Sequence, residues 1–394
     1  MALLKRLAVD NDVRREQAFA WRIKGIVLHG SDLEASEPYL QKSLTTAKAL
    51  DDQWGMGQTL TALGELFFTK GQFDKAEQLL RESLQIQRRL GDYRTAATTL
   101  ELLNATATYQ GKFADAETYA QQSNSNYRRI GGRLGTANGL GRLGVTLVWL
   151  GKHGEAYQKL NESLTIYQDL GNQERIASLH IDLSISLMHQ GRYEESHLKG
   201  KEGLEMARAI ESLSVQAYAC FVLGWNGVGV FRHPNARAYL TESADIFAQI
   251  GRQNEVWWPQ TLLGIDMIYQ EHYAKATKHL NYMAETTLVG RNVLPLSLAV
   301  TGIALLEARN ISQTHPDTDQ IERVIGLTVM AKMWPGLKQS IWWQDAAWPQ
   351  LEQAASYLPA AAQSAVRAEY QRLSMWEAGA RLLSALRPLN HSST

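Results

Sequence analysis

A glycine-centred phrase recurs along this chain every forty residues. It stands as Gly71-Gln72-Phe73-Asp74-Lys75-Ala76, Gly111-Lys112-Phe113-Ala114-Asp115-Ala116, Gly151-Lys152-His153-Gly154-Glu155-Ala156 and Gly191-Arg192-Tyr193-Glu194-Glu195-Ser196. A fixed period of this length calls for stacked supersecondary units that share one continuous core, because a single unit cannot bury its apolar face alone. The chain therefore reads as a solenoid. That architecture accommodates 394 residues without the size limit of one compact core.

Each unit reads as two helices. The first ends at the glycine of the phrase, where a left-handed residue costs glycine nothing sterically. The second runs to another glycine at Gly91, Gly131, Gly171 or Gly251. Apolar residues keep the helical period, as in Ala76, Leu80 and Leu84, and again in Ala156, Leu160 and Leu164. A Leu-Gly step recurs in the first helix at Leu63-Gly64, Leu143-Gly144, Leu223-Gly224 and Leu263-Gly264, and a small residue there admits a close helix–helix approach. The register extends back to Leu33, Ser36 and Leu40 and forward to Tyr273 and Ala276, although the glycine is lost at Phe231 and Glu271.

The order Leu-Gly, an aromatic residue, then Gly-x-[Phe/Tyr]-x-x-Ala and Leu resembles the tetratricopeptide repeat, here in a unit of 40 residues with longer helices. Leu63, Gly64, Phe67, Ala76, Leu80 and Ser83 match it within one unit. The resemblance implies an all-α solenoid, a right-handed superhelix of helix-turn-helix pairs. About seven pairs are expected over 12–292, with a C-terminal helical capping region over 293–394. Trp334, Trp342, Trp343 and Trp348 are expected to belong to that cap. The forty-residue unit and the stretch Ser340-Ile341-Trp342-Trp343-Gln344-Asp345 also resemble the C-terminal sensor arrays of bacterial signal-transducing ATPase regulators. This second resemblance implies a noncatalytic sensor domain of a modular regulator. A free-standing scaffold or adaptor is the alternative.

Lys+Arg and Asp+Glu are equal at 40 each, so bulk charge gives no reason to expect direct nucleic-acid binding. One cysteine, Cys220, excludes an intramolecular disulfide, which fits a reducing cytoplasmic setting. No run is long and apolar enough for a membrane span. No Gly-x-x-x-x-Gly-Lys-Ser/Thr loop occurs, and Gly139-Leu140-Gly141-Arg142-Leu143-Gly144 falls inside a first helix rather than at a strand-to-helix turn. His153, His233 and His272 lie in helix-to-helix turns, where a solvated side chain is expected. No catalytic, cofactor or metal residue is proposed, and the chain is not expected to be an enzyme.

The tetratricopeptide resemblance implies function on a concave face lined by the first helices. With Gly64 at position eight of its unit, the resemblance implies that positions two, five, nine and twelve lie on that face. They carry mainly polar groups early and apolar or aromatic groups late. The residues expected to contact a ligand or partner are Glu101, Asn138, Arg142, Met188, Tyr218, Phe221, Trp225 and Trp258. An exposed apolar patch of this kind marks a binding surface; the competing reading is that the C-terminal tail folds onto it. A protein or peptide partner is expected, with a small-molecule signal as another candidate ligand.

Overall fold

The structure, a computed structural model, describes residues 2–29, 32–229, 231–311 and 315–386. Contacts divide the chain into two compact units, Met1–Leu143 and Gly144–Thr394. The first unit holds α1 (Ala2–His29), α2 (Leu33–Ala49), α3 (Gln53–Thr69), α4 (Phe73–Leu90), α5 (Tyr93–Tyr109), α6 (Phe113–Ile130) and the start of α7 (Arg133–Trp149). The second continues with α8 (His153–Leu170), α9 (Gln173–His189), α10 (Tyr193–Ala209), α11 (Leu213–Gly227), α12 (Ala236–Gln249), α13 (Gln253–Tyr269) and α14 (Tyr273–Val289). Then come α15 (Val293–Arg309) and α16 (Thr318–Ala331). Among the described residues every regular element is a helix, and consecutive helices pack against one another from α1 to α6 and from α8 to α16.

The expected boundary between 292 and 293 falls inside the second unit. It separates α14 from α15, which packs on α14 and α16 as the earlier helices do. Beyond α16 the chain forms α17 (Pro335–Lys338), α18 (Ile341–Ala346), α19 (Trp348–Ala355), α20 (Ala360–Gln371) and α21 (Met375–Leu386). Of these, α19, α20 and α21 cover α16.

The Leu-Gly step is a socket. A Cβ on Gly64 would lie 2.5 Å from the Leu80 side chain of the paired helix, and one on Gly224 would lie 2.5 Å from Leu240. Gly144 with Leu160 and Gly264 with Leu280 repeat the arrangement at 2.7 Å. Where the first-helix residue is larger, the facing one is smaller. Asn104 meets Ala120, donating from Nδ2 to the Ala116 carbonyl at 2.7 Å. Ser184 meets Gly200, donating to the Ser196 carbonyl at 2.7 Å. Close packing at constant total volume explains both exchanges.

A second recurrent device joins three of the pairs. Ser83, Ser123 and Ser243 on second helices donate to the carbonyls of Gly57, Ala97 and Ala217 at 2.6, 3.1 and 2.9 Å. Each spans 26 residues, so a buried hydroxyl is satisfied by the helix it packs on. The turn glycines take left-handed backbone, as at Gly71 with φ 71°. Glu211 and Glu271 hold the same conformation at φ 56° and 62° without glycine's freedom. The turn geometry therefore outlasts the residue that makes it easy.

Candidate ligand-binding faces

In the first unit the face positions of α3 and α5 and of the first turns of α7 are polar and largely open. Gln58, Glu65, Thr98, Glu101 and Asn138 are part-exposed or exposed, and Arg142 is exposed. Helical spacing places Asn138 and Arg142 four residues apart, on one side of α7. The Arg142 Nε lies 3.6 Å from the Glu101 carboxylate on α5. Tyr127 of α6 sits beside them, where burial and the Glu101 carboxylate push its phenol up to about 12. Thus Glu101, Asn138 and Arg142 do stand on an accessible polar surface.

The second unit reverses this. Met188, Phe221, Trp225 and Trp258 are buried, and Tyr218 is part-buried. Tyr218, Phe221 and Trp258 pack among themselves and on Phe247. The segment 334–347 supplies the rest of the covering. Trp225 lies 6.3 Å from Trp334 and 5.9 Å from Trp342, ring centre to ring centre. The surface expected to be open is therefore closed by the chain's own tail. Trp225 at 2% exposure and Trp258 at 5% are core side chains of this unit.

The tail is held by directed bonds as well as by apolar contact. The indole N–H groups of Trp334, Trp342 and Trp343 donate to the Trp149 carbonyl, the Val228 carbonyl and the Thr301 hydroxyl at 3.1, 3.0 and 3.3 Å. Tyr193 donates to Asp345 at 2.7 Å, and Tyr269 to the Ala346 carbonyl at 3.0 Å. Repeat turns that elsewhere face open space receive tail atoms here. A Cβ on Gly151 would meet the Pro335 carbonyl at 2.6 Å, and one on Gly191 would meet Ile341 at 2.8 Å, whereas Gly71 and Gly251 have nothing within 4 Å. Of the four tryptophans expected in a terminal cap, Trp334 and Trp342 thus lie back along the array. Trp343 packs on Trp348 at 5.4 Å.

Two histidines missing from the expected site lie under the tail. His153 stacks on His189 at 4.7 Å, and His189 shares a 2.7 Å hydrogen bond with Ser340. His153 is 5% exposed and not solvated, which corrects the expectation from its place in a turn. The signal was in the phrase itself: His153 occupies the slot of Phe73, Phe113 and Tyr193, and Phe73 too is buried. Burial lowers the His153 pKa to about 4 and holds His189 well below its ordinary value, so both rings are neutral. His197 pairs with His233, at 4.4 Å.

Among the described residues no group of three or more His, Cys, Asp or Glu side chains is placed to hold a metal, and no helix is long and apolar enough to cross a membrane. Cys220 is fully buried, and burial raises its thiol pKa far above the ordinary range, which leaves it unreactive.

The family model for the tetratricopeptide repeat matches residues 16–89 and 55–129. Those residues are tetratricopeptide repeats, and the paired helices and their sockets continue beyond them as an all-α solenoid of the tetratricopeptide type. Its fold is similar to that of a Rap protein complexed with competence and sporulation factor, at TM-score 0.61 and 13% identity over 94% of this chain and 100% of that one. The Rap conjugation gene regulator of plasmid pLS20, in complex with the Phr* peptide, gives 0.55 and 11% over 88% and 96%. A signal-transduction ATPase with a tetratricopeptide sensor from Pyrococcus horikoshii gives 0.45 and 15% over 78% and 46%. At these identities the likeness is one of fold. No curated protein matches the sequence significantly.

Proposed function

We propose that this chain is a noncatalytic sensor domain that recognises a peptide or an extended protein segment and reports it to a regulatory partner. The observation that carries the reading is the accessible polar face of the first unit, where Glu101, Asn138 and Arg142 present an acceptor, an amide and a cation from neighbouring first helices. Such a set can hydrogen-bond the backbone of an extended chain and select its charges. The Rap conjugation gene regulator of similar fold, in complex with the Phr* peptide, supports a peptide ligand over a small molecule.

Panning the full chain against a library of linear peptides tests this. Bound peptides should lose at least tenfold in affinity on Arg142→Ala or Glu101→Gln, with melting unchanged. Retention of affinity by both variants would overturn the assignment of the polar face.

A further inference from the structure

Arg22 of α1 is a buried cation without an ion pair among the described residues. The residue is 6% exposed, and its guanidinium lies between two rings, 5.1 Å from the centre of Phe19 and 5.0 Å from that of Trp54. Among the described residues no carboxylate stands within ion-pair distance of it. The nearest influence is Asp52, whose Oδ1 is committed to capping α3 through the Gly55 amide at 2.9 Å. Removing a cation from water without a partner is costly, so such a group normally has a counterion.

The guanidinium lines an open cleft of about 500 Å³ between α1, the end of α2 and the start of α3. Phe19 and Trp54 are 51% and 50% exposed at its sides, although rings of that size are normally covered. This cleft lies at the helix ends and uses none of the face residues Glu101, Asn138 and Arg142. We propose that it is a second docking site, which takes an Asp or Glu side chain of a partner protein and pairs its carboxylate with Arg22 between the two rings.

Three features select that occupant. A planar carboxylate accepts two parallel N–H bonds from a guanidinium and fits the slot between the rings. Glu16, Asp51 and Asp52 line the cleft with Arg15 and Arg22, so the wall carries more negative than positive groups and repels a doubly charged phosphate about twice as strongly as a single carboxylate. Phe19, Ile23 and Ile26, all exposed, share one side of α1 beside the site. They suit a polypeptide that runs on along the helix past the acid, with the acid internal to it rather than at its terminus.

The test uses the full chain and three fluorescein-labelled peptides read by anisotropy. The first carries one Glu between leucines and has blocked ends. The second has Gln in its place. The third has Gln and a free C-terminal carboxylate. The first should bind at least tenfold more tightly than the other two, and Arg22→Met should abolish that preference. Arg22→Met should also melt at or above the wild-type temperature, because it removes a buried unpaired charge. Trp54→Ala, at a half-exposed position, should weaken the Glu peptide with the fold intact. Equal binding of the Glu and Gln peptides, tighter binding of the free terminus, or unfolding of Arg22→Met would each overturn the proposal. Unchanged binding by Arg142→Ala would show that this site is separate from the polar face.

Discussion

In α5, positions five and nine of the forty-residue register carry Glu101 and Ala105; in α11 the same positions carry Phe221 and Trp225. Both helices keep the same forty-residue register, with Asn104 at the eighth position of α5 and Gly224, packed on Leu240, at the eighth position of α11. The fates of the two faces differ. Polar side chains need no cover, and those of the first unit stay accessible. Aromatic side chains gain about 25 cal/mol per Å² of apolar surface removed from water, and the second unit finds that cover in its own segment 334–347. A repeat thus sets where a side chain points, and chemistry decides whether it remains available.

The sharpest way to break this contrast is to remove a ring from the covered face. Trp225→Ala or Trp342→Ala should cost about 3–5 kcal/mol, the range for a fully buried aromatic. Arg142→Ala on the open face should stay within about 0.5 kcal/mol. Urea unfolding curves give both numbers. A loss below about 1 kcal/mol for both tryptophan variants would mean that the tail does not hold the aromatic face.

Acid should separate the two units next. His153 is neutral in the fold, with its pKa lowered from 6.5 to about 4 by burial. Below pH 6.5 the unfolded chain therefore binds a proton that the folded one refuses. Stability falls as pH drops from about 6.5 towards 4, and the loss from this residue levels off near about 3 kcal/mol. His189, also depressed, adds to the loss. Melting followed by tryptophan fluorescence between pH 7 and 4 should show the decline, and His153→Phe, which restores the ring type of the phrase, should flatten it. An unchanged slope in that variant would exclude His153 as the cause.

Most of the fold was legible because the repeat states it several times over. Each phrase specifies a left-handed turn, each Leu-Gly step a socket, and each serine near the middle of a second helix a bond to its partner. The same register singles out Glu101, Asn138 and Arg142, which are at least part-exposed. What could not be counted was the path of the tail. Trp334, Trp342 and Ser340 meet Trp149, Val228 and His189 across separations of 185, 114 and 151 residues, with no period to announce the match. The burial of Trp225 and His153 depends on that path. Arg22 escaped notice for a related reason: a lone arginine in a first helix is ordinary in sequence, and only the rings of Phe19 and Trp54 around it make it conspicuous.

The socket rule offers a smaller effect with a sharper internal control. Leu80→Ala should cost about 2–5 kcal/mol, because it empties a filled site. Gly64→Ala alone should cost about 1–3 kcal/mol, because its Cβ would lie 2.5 Å from Leu80. In the Leu80→Ala background the same glycine change should turn neutral or favourable by up to about 1 kcal/mol, since alanine is the better helix former and the clash has gone. The natural Asn104–Ala120 and Ser184–Gly200 pairs already show the exchange of volume in both units. A double-mutant cycle should therefore return a coupling of at least about 1 kcal/mol, and the Gly224–Leu240 pair of the second unit should return a similar one. Additivity at both pairs would mean that the glycines serve turn-to-turn flexibility rather than packing, and the shared register would lose its physical basis.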